Sequence, residues 1–191
     1  MLYKLLRPLV VLLFKLLFRI EIKGKENFPK EQPFILASNH LSNLDPIVLG
    51  VACPYRLYFI AKEELFQEKI FAFFLKKLGA IPLKRKKIDL RTIKKGLFLL
   101  KKEKKPLAIF PQGRRSLDYE RFSPGVGFFY KKTSFPIVAA KIYGTEEVLP
   151  KEAKFIKLGK IKVIFDRVQN INKEDDYREI TFKVLEKIKN L

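Results

Sequence analysis

The chain contains one histidine, His40, and an aspartate stands five residues beyond it, in the run Asn39-His40-Leu41-Ser42-Asn43-Leu44-Asp45. A neutral imidazole can take a proton from a hydroxyl if its other nitrogen donates to a carboxylate. The carboxylate fixes the tautomer and stabilises the cation that forms. The residues between His40 and Asp45 can fold back as a turn, so the spacing allows the pair to meet. The nucleophile would then be a hydroxyl of the substrate. A plainer reading stands beside this one. His40 would be a satisfied core residue, and Asp45 the N-cap of a helix with Pro46 in its first position.

Two further groups of residues suit an anionic ligand. In Phe110-Pro111-Gln112-Gly113-Arg114-Arg115-Ser116, Gly113 lets the backbone approach a ligand closely. Arg114 and Arg115 offer planar forks that match phosphate oxygens. In isolation the same segment also reads as a solvated surface turn. The second group is Gly79-Ala80-Ile81-Pro82-Leu83-Lys84-Arg85-Lys86-Lys87, a charge run that is a weak signal by itself. Lys62 adds another cation. One cysteine, Cys53, and one histidine exclude an intramolecular disulfide and most thiolate- or histidine-rich metal sites, so no metal ligands are assigned.

The elements that must position these residues alternate in type. Short apolar runs at 34–38, 57–61, 81–83, 107–110, 136–143 and 161–165 read as strands. Helices are expected at 47–52, 66–78 (ending at Gly79), 88–102 and 175–189. Strand and helix in turn mean a single α/β domain with a largely parallel central sheet flanked by helices. His40, Lys62 and the Phe110–Ser116 segment each follow a predicted strand. If those strands are parallel neighbours, their ends converge where open sheets bind ligands.

Residues 2–20 are the most apolar stretch. No small-residue cleavage site follows, and charges leave an uncharged run only from Pro8 to Phe14. On a helix, Lys4, Arg7, Lys15 and Arg19 fall within an arc of about 120°, with Leu5, Leu6, Leu9, Leu12, Leu13, Leu16 and Leu17 opposite. Such a helix either lies in a membrane surface or packs on the domain core. The expected division is 1–20 as an amphipathic membrane-interface helix and 21–191 as the catalytic domain, so that removing residues 1–19 frees a domain that still folds. Lys and Arg number 40 against 20 Asp and Glu, a net charge of +20, which calls for an anionic partner. Eighteen Phe and no Trp suit either a bilayer interface or a Phe-heavy core under a basic surface. No helix-turn-helix, aromatic RNA-binding signature or zinc finger supplies base readout, so nucleic acid is not expected. A non-catalytic basic module would rest on charge alone.

The order Asn39-His40-(four residues)-Asp45, Phe59–Leu65, Gly79–Arg85 and Phe110–Ser116 resembles the glycerolipid acyltransferases, in their bacterial 1-acylglycerol-3-phosphate acyltransferase branch. Gly24–Pro29 resembles that family's opening segment and Phe135–Ala140 its last motif. The resemblance covers roughly residues 20–150. It implies a membrane enzyme of phospholipid synthesis, held on the cytoplasmic face by its amino-terminal helix. The enzyme moves a fatty acyl group from acyl-CoA or acyl-carrier protein to a hydroxyl of a phosphorylated glycerolipid, with no cofactor. It further implies that His40 is the base, that Asp45 orients it, and that Arg115 and Arg85 hold the phosphate, with Lys62, Gln112, Gly113, Arg114 and Ser116 lining the acceptor side. The family's third motif usually reads Phe-Pro-Glu-Gly-Thr-Arg-Ser. Here Gln112 replaces the Glu and Arg114 the Thr, which leaves glycerol 3-phosphate, a lysophospholipid or an amino-acid-derived lipid open as other acceptors.

Overall fold

The structure is a computed structural model that describes residues 2–30, 33–67, 72, 75–76, 79–83, 90–116, 118–153 and 155–191, with the side chains of 2–6 and of Lys62 left aside. Seven strands form one sheet: β1 (Glu21–Lys23), β2 (Ile35–Ser38), β3 (Tyr58–Lys62), β4 (Ala80–Leu83), β5 (Leu107–Ile109), β6 (Ile137–Tyr143) and β7 (Lys162–Arg167). Their spatial order is β1-β7-β6-β2-β5-β3-β4. Every pairing is parallel except β6 with β7. The α-helices are α1 (Leu2–Phe18), α2 (Asp45–Ala52), α3 (Leu90–Lys101), α4 (Gly125–Thr133), the short α5 (Thr145–Val148) and α6 (Tyr177–Lys189). The expected largely parallel α/β domain is therefore what the chain forms.

The central strand β2 shows why. All four residues of Ile35-Leu36-Ala37-Ser38 are buried, as a parallel strand covered on both faces requires. Successive side chains point to opposite faces. Leu36 joins a core with Phe14, Phe18, Leu49 and Phe165, while Ile35 and Ala37 join another with Leu100, Val126 and Leu185. β6 divides likewise, with Val138 and Ala140 on the first side and Ile137 and Ala139 on the second. Helices α1 and α2 thus cover one face, and α3, α4 and α6 the other.

Several local expectations change. Asp45 is the first residue of α2 and not its N-cap; Leu44 takes that place without a side-chain bond. The reason is that the Asp45 carboxylate turns back to the upstream amides of Leu41 and Ser42. Pro82 lies in β4, at the sheet edge, where a missing ladder donor is tolerated. Its carbonyl accepts a 2.6 Å bond from the Thr92 hydroxyl. Strand β1 and helices α4 and α5 were not anticipated. The helix expected at 66–78 falls mostly outside the described residues, and Glu63–Phe66 forms a 3-10 turn.

Helix α1 packs one side on the domain core and leaves a leucine-rich side exposed. Phe14 and Phe18 pack edge to face, centroids 4.9 Å apart, within the core, and Val10 and Val11 lie against it. Arg7 donates to the Cys53 carbonyl at 2.8 Å. On the opposite side Leu9, Leu12, Leu13, Leu16 and Leu17 are exposed. Because Phe14 and Phe18 belong to the core, the helix is not separable from the domain at residue 20. No described helix is long and apolar enough to cross a membrane.

Candidate active site

The parallel strands β6, β2, β5 and β3 are neighbours, so their carboxyl ends line up along one edge of the sheet. His40 follows β2, Phe110 follows β5, Lys62 ends β3 and Thr145 follows β6 by two residues. The convergence expected from strand order is realised at this edge.

The His40 Nδ1–H donates to Asp45 Oδ2 at 2.8 Å. That oxygen also accepts the backbone N–H groups of Leu41 at 2.7 Å and Ser42 at 2.8 Å. An oxygen holding two amide hydrogens can only accept from the imidazole, so the hydrogen sits on Nδ1 and the lone pair on Nε2. Asp45 is 1% exposed, while the His40 side chain keeps 18% of its surface. The carboxylate is thus sealed behind the ring, and the basic nitrogen is on the ring's far side. The other oxygen, Oδ1, accepts the Thr145 hydroxyl at 2.6 Å. With both oxygens engaged the carboxylate is fixed in orientation, and so is the imidazole.

Further contacts fix the ring and the segment that carries it. Phe110 stacks on it, centroids 4.3 Å apart and planes 22° from parallel, and is itself stacked with Phe59 at 6.3 Å. The His40 carbonyl accepts the Ser116 N–H at 3.0 Å, an isolated bridge that ties the two motifs together. Asn39, buried beside the histidine, donates to the Ile142 carbonyl and accepts the Ile142 N–H, each at 2.8 Å. The Ser42 hydroxyl donates to the Leu149 carbonyl at 2.8 Å.

The segment after β5 makes a compact loop. Gly113 has φ +64°, in the left-handed region, and donates to the Phe110 carbonyl at 2.9 Å. Gln112 is buried, and its Nε2 donates to the carbonyls of Ser116 at 2.6 Å and Asp118 at 3.1 Å. Its Oε1 is buried without a partner among the described residues. Arg114 pairs with Asp118 at 2.8 Å on the surface, which spends part of the extra positive charge expected there. Arg115 is partly exposed and reaches the Lys151 carbonyl at 3.4 Å. The Ser116 hydroxyl accepts the Asp118 N–H at 3.0 Å. Lys62 ends β3, two strands from β2, roughly 10 Å across the sheet. Arg85 lies outside the described residues.

His40, Asp45, Gln112, Gly113, Arg114, Arg115 and Ser116 are therefore gathered at one sheet edge. Asn39 and Phe110, which lie in the two motifs but were given no role from sequence, and Thr145, which was not singled out, also pack into this arrangement. Thr145 lies 100 residues from Asp45; the one available signal was its place at a strand end beside β2. No three His, Cys, Asp or Glu side chains group to hold a metal among the described residues.

Residues 19–143 match the sequence model of a family described as Acyltransferase. A 1-acyl-sn-glycerol-3-phosphate acyltransferase of Bacillus subtilis is 35% identical over 147 residues, spanning 76% of this chain and 71% of that protein. Its namesake in Streptococcus pneumoniae is 33% identical over 118 residues, 60% of this chain and 45% of that protein. Among solved structures, the 1-acyl-sn-glycerophosphate acyltransferase PlsC from Thermotoga maritima aligns with a TM-score of 0.80 and 24% identity, over 98% of this chain and 77% of that one. At that identity the likeness concerns the fold.

Proposed function

This chain belongs to the acyltransferase family, and from that premise we propose that it moves a fatty acyl group from acyl-CoA or acyl-carrier protein to the free hydroxyl of 1-acylglycerol 3-phosphate, giving phosphatidate. The observation that carries this reading is the His40–Asp45 pair, with its hydrogen on Nδ1 and its lone pair on Nε2. The relatives' names supply the acceptor.

The acceptor hydroxyl donates to Nε2, which takes the proton as the oxygen attacks the thioester carbonyl. The tetrahedral intermediate collapses, the C–S bond breaks, and the departing thiolate receives that proton from the imidazolium. Asp45 stabilises the imidazolium through its Oδ2. No acyl-enzyme forms, and neither metal nor prosthetic group is needed, because base and nucleophile suffice. Arg115, at the rim, and Arg85 hold the acceptor phosphate, with Lys62, Gln112, Gly113, Arg114 and Ser116 shaping the pocket around it. The leucine face of α1 seats the protein on the cytoplasmic face of the membrane, beside its lipid substrate and product.

The test is an assay of purified protein with acyl-CoA and with acyl-carrier protein against 1-acylglycerol 3-phosphate, glycerol 3-phosphate and a phosphate-free lysolipid. Highest turnover on 1-acylglycerol 3-phosphate is expected, with His40→Ala lowering it at least about 100-fold. Near-normal activity in that variant refutes the mechanism. Preference for the phosphate-free acceptor refutes the role of Arg115.

A further inference from the structure

Between α5 and β7 the sequence runs through Lys151-Glu152-Ala153-Lys154-Phe155-Ile156-Lys157-Leu158-Gly159-Lys160, and its described residues, 151–153 and 155–160, lie outside regular helix and strand. Phe155 is 82% exposed and Leu158 77%, with Ile156 exposed between them. Three large apolar side chains so close together and so open to water are unusual on a soluble face.

The loop carrying them is tied down. Ala153 N–H donates to the Pro150 carbonyl at 3.1 Å and Lys157 N–H to the Val148 carbonyl at 2.8 Å. Ile161 N–H, at the loop's end, donates to the carbonyl of Phe18, the last residue of α1, at 3.1 Å. The apolar triplet is thus held within a few residues of the final turn of α1, where Leu16 and Leu17 are exposed. At its other end the Lys151 carbonyl meets Arg115.

We propose that this loop is a second membrane-insertion element, which enters an anionic bilayer surface together with α1 and sets the tilt at which the active-site edge faces the lipid. The proposal rests on the reading of α1 as a membrane helix. The occupant is chosen by charge. Four lysines and a single glutamate alternate with the apolar side chains, so rings and aliphatic chains enter the acyl boundary while ammonium groups meet lipid phosphates. Two elements at an angle fix an orientation that one helix, free to roll about its axis, does not.

The chain has no tryptophan, so Phe155→Trp and Leu16→Trp each place one reporter in an otherwise silent protein. With vesicles of phosphatidylglycerol and phosphatidylcholine, both emissions should shift to the blue and be quenched by lipids brominated on the acyl chains. Phe155→Ser should weaken vesicle sedimentation by about tenfold with the thermal midpoint unchanged, since the side chain packs against nothing that folding needs. An unshifted Phe155→Trp beside a shifted Leu16→Trp overturns the loop proposal and leaves the α1 reading standing. If neither shifts, both fall. A blue shift of Phe155→Trp without lipid that grows with protein concentration assigns the loop to self-association, and also overturns the proposal.

Discussion

Thr145 donates its hydroxyl to Asp45 Oδ1 at 2.6 Å, across 100 residues of chain, inside a site both residues close to water. The bond makes Thr145 a positioning residue: it acts on His40 through the carboxylate. Thr145→Ala should lower kcat about tenfold, as expected when a buried acceptor loses its partner at a cost of about 1–3 kcal/mol, with KM little changed. Thr145→Ser should restore it. A kcat–pH profile that keeps its shape and position in Thr145→Ala would reduce the residue to a structural one.

Gln112 stands where the family usually carries glutamate. Here its amide nitrogen faces two backbone carbonyls, those of Ser116 and Asp118. A carboxylate would set negative oxygen against both. Gln112→Glu should therefore destabilise the protein by about 1–3 kcal/mol and reduce activity, although it restores the commoner residue. A thermal midpoint equal to or above that of the parent would contradict this.

Burial pushes the Cys53 thiol up from 9.0 to about 12. The native thiol therefore stays protonated and inert at pH 8, and a disulfide reagent should label it only at the rate of unfolding. The sign of the linkage follows. Between pH 9 and 12 the thiol ionises in the unfolded chain alone, so its contribution is complete below pH 9 and falls as pH rises towards 12. Rapid stoichiometric labelling of folded protein at pH 8 would refute the burial.

Deleting residues 1–19 is a poor test of membrane attachment, because it strips Phe14 and Phe18 from the core. Phe18→Ala alone should cost about 3–5 kcal/mol. The informative variant is Leu9→Ser/Leu12→Ser/Leu16→Ser, which touches exposed positions only. It should abolish vesicle sedimentation and keep the thermal midpoint. Sedimentation at the parent level would remove α1 from the membrane contact.

Strand positions were legible because buried parallel strands are runs of apolar residues: Ile35–Ser38 and Leu107–Ile109 stand out in any reading of the chain. His40 and Asp45 were legible because they are close in sequence. Thr145 and Asn39 act over about a hundred residues, and only sheet order brings their partners near. Helix α4 was hidden by two glycines, Gly125 and Gly127, in its nine residues. Gly127 is there because the Tyr177 backbone of α6 lies against its Cα, leaving no room for a Cβ. Strand β1 was too short to carry a pattern. The core side of α1, valine and phenylalanine inward with leucine outward, was not separable from its leucine side by sequence pattern because both are apolar.

The position of β1 at the edge of the sheet has a consequence for synthesis. It precedes every other strand, yet its one neighbour is β7, which follows every other strand. While the ribosome makes the intervening hundred-odd residues, β1 has no edge to join, and α1 lacks the Val163 and Phe165 side of its core. The leucine face of α1 is complete long before then. The sheet therefore reaches its full width only after β7 has been made, and the core face of α1 stays incompletely covered until then.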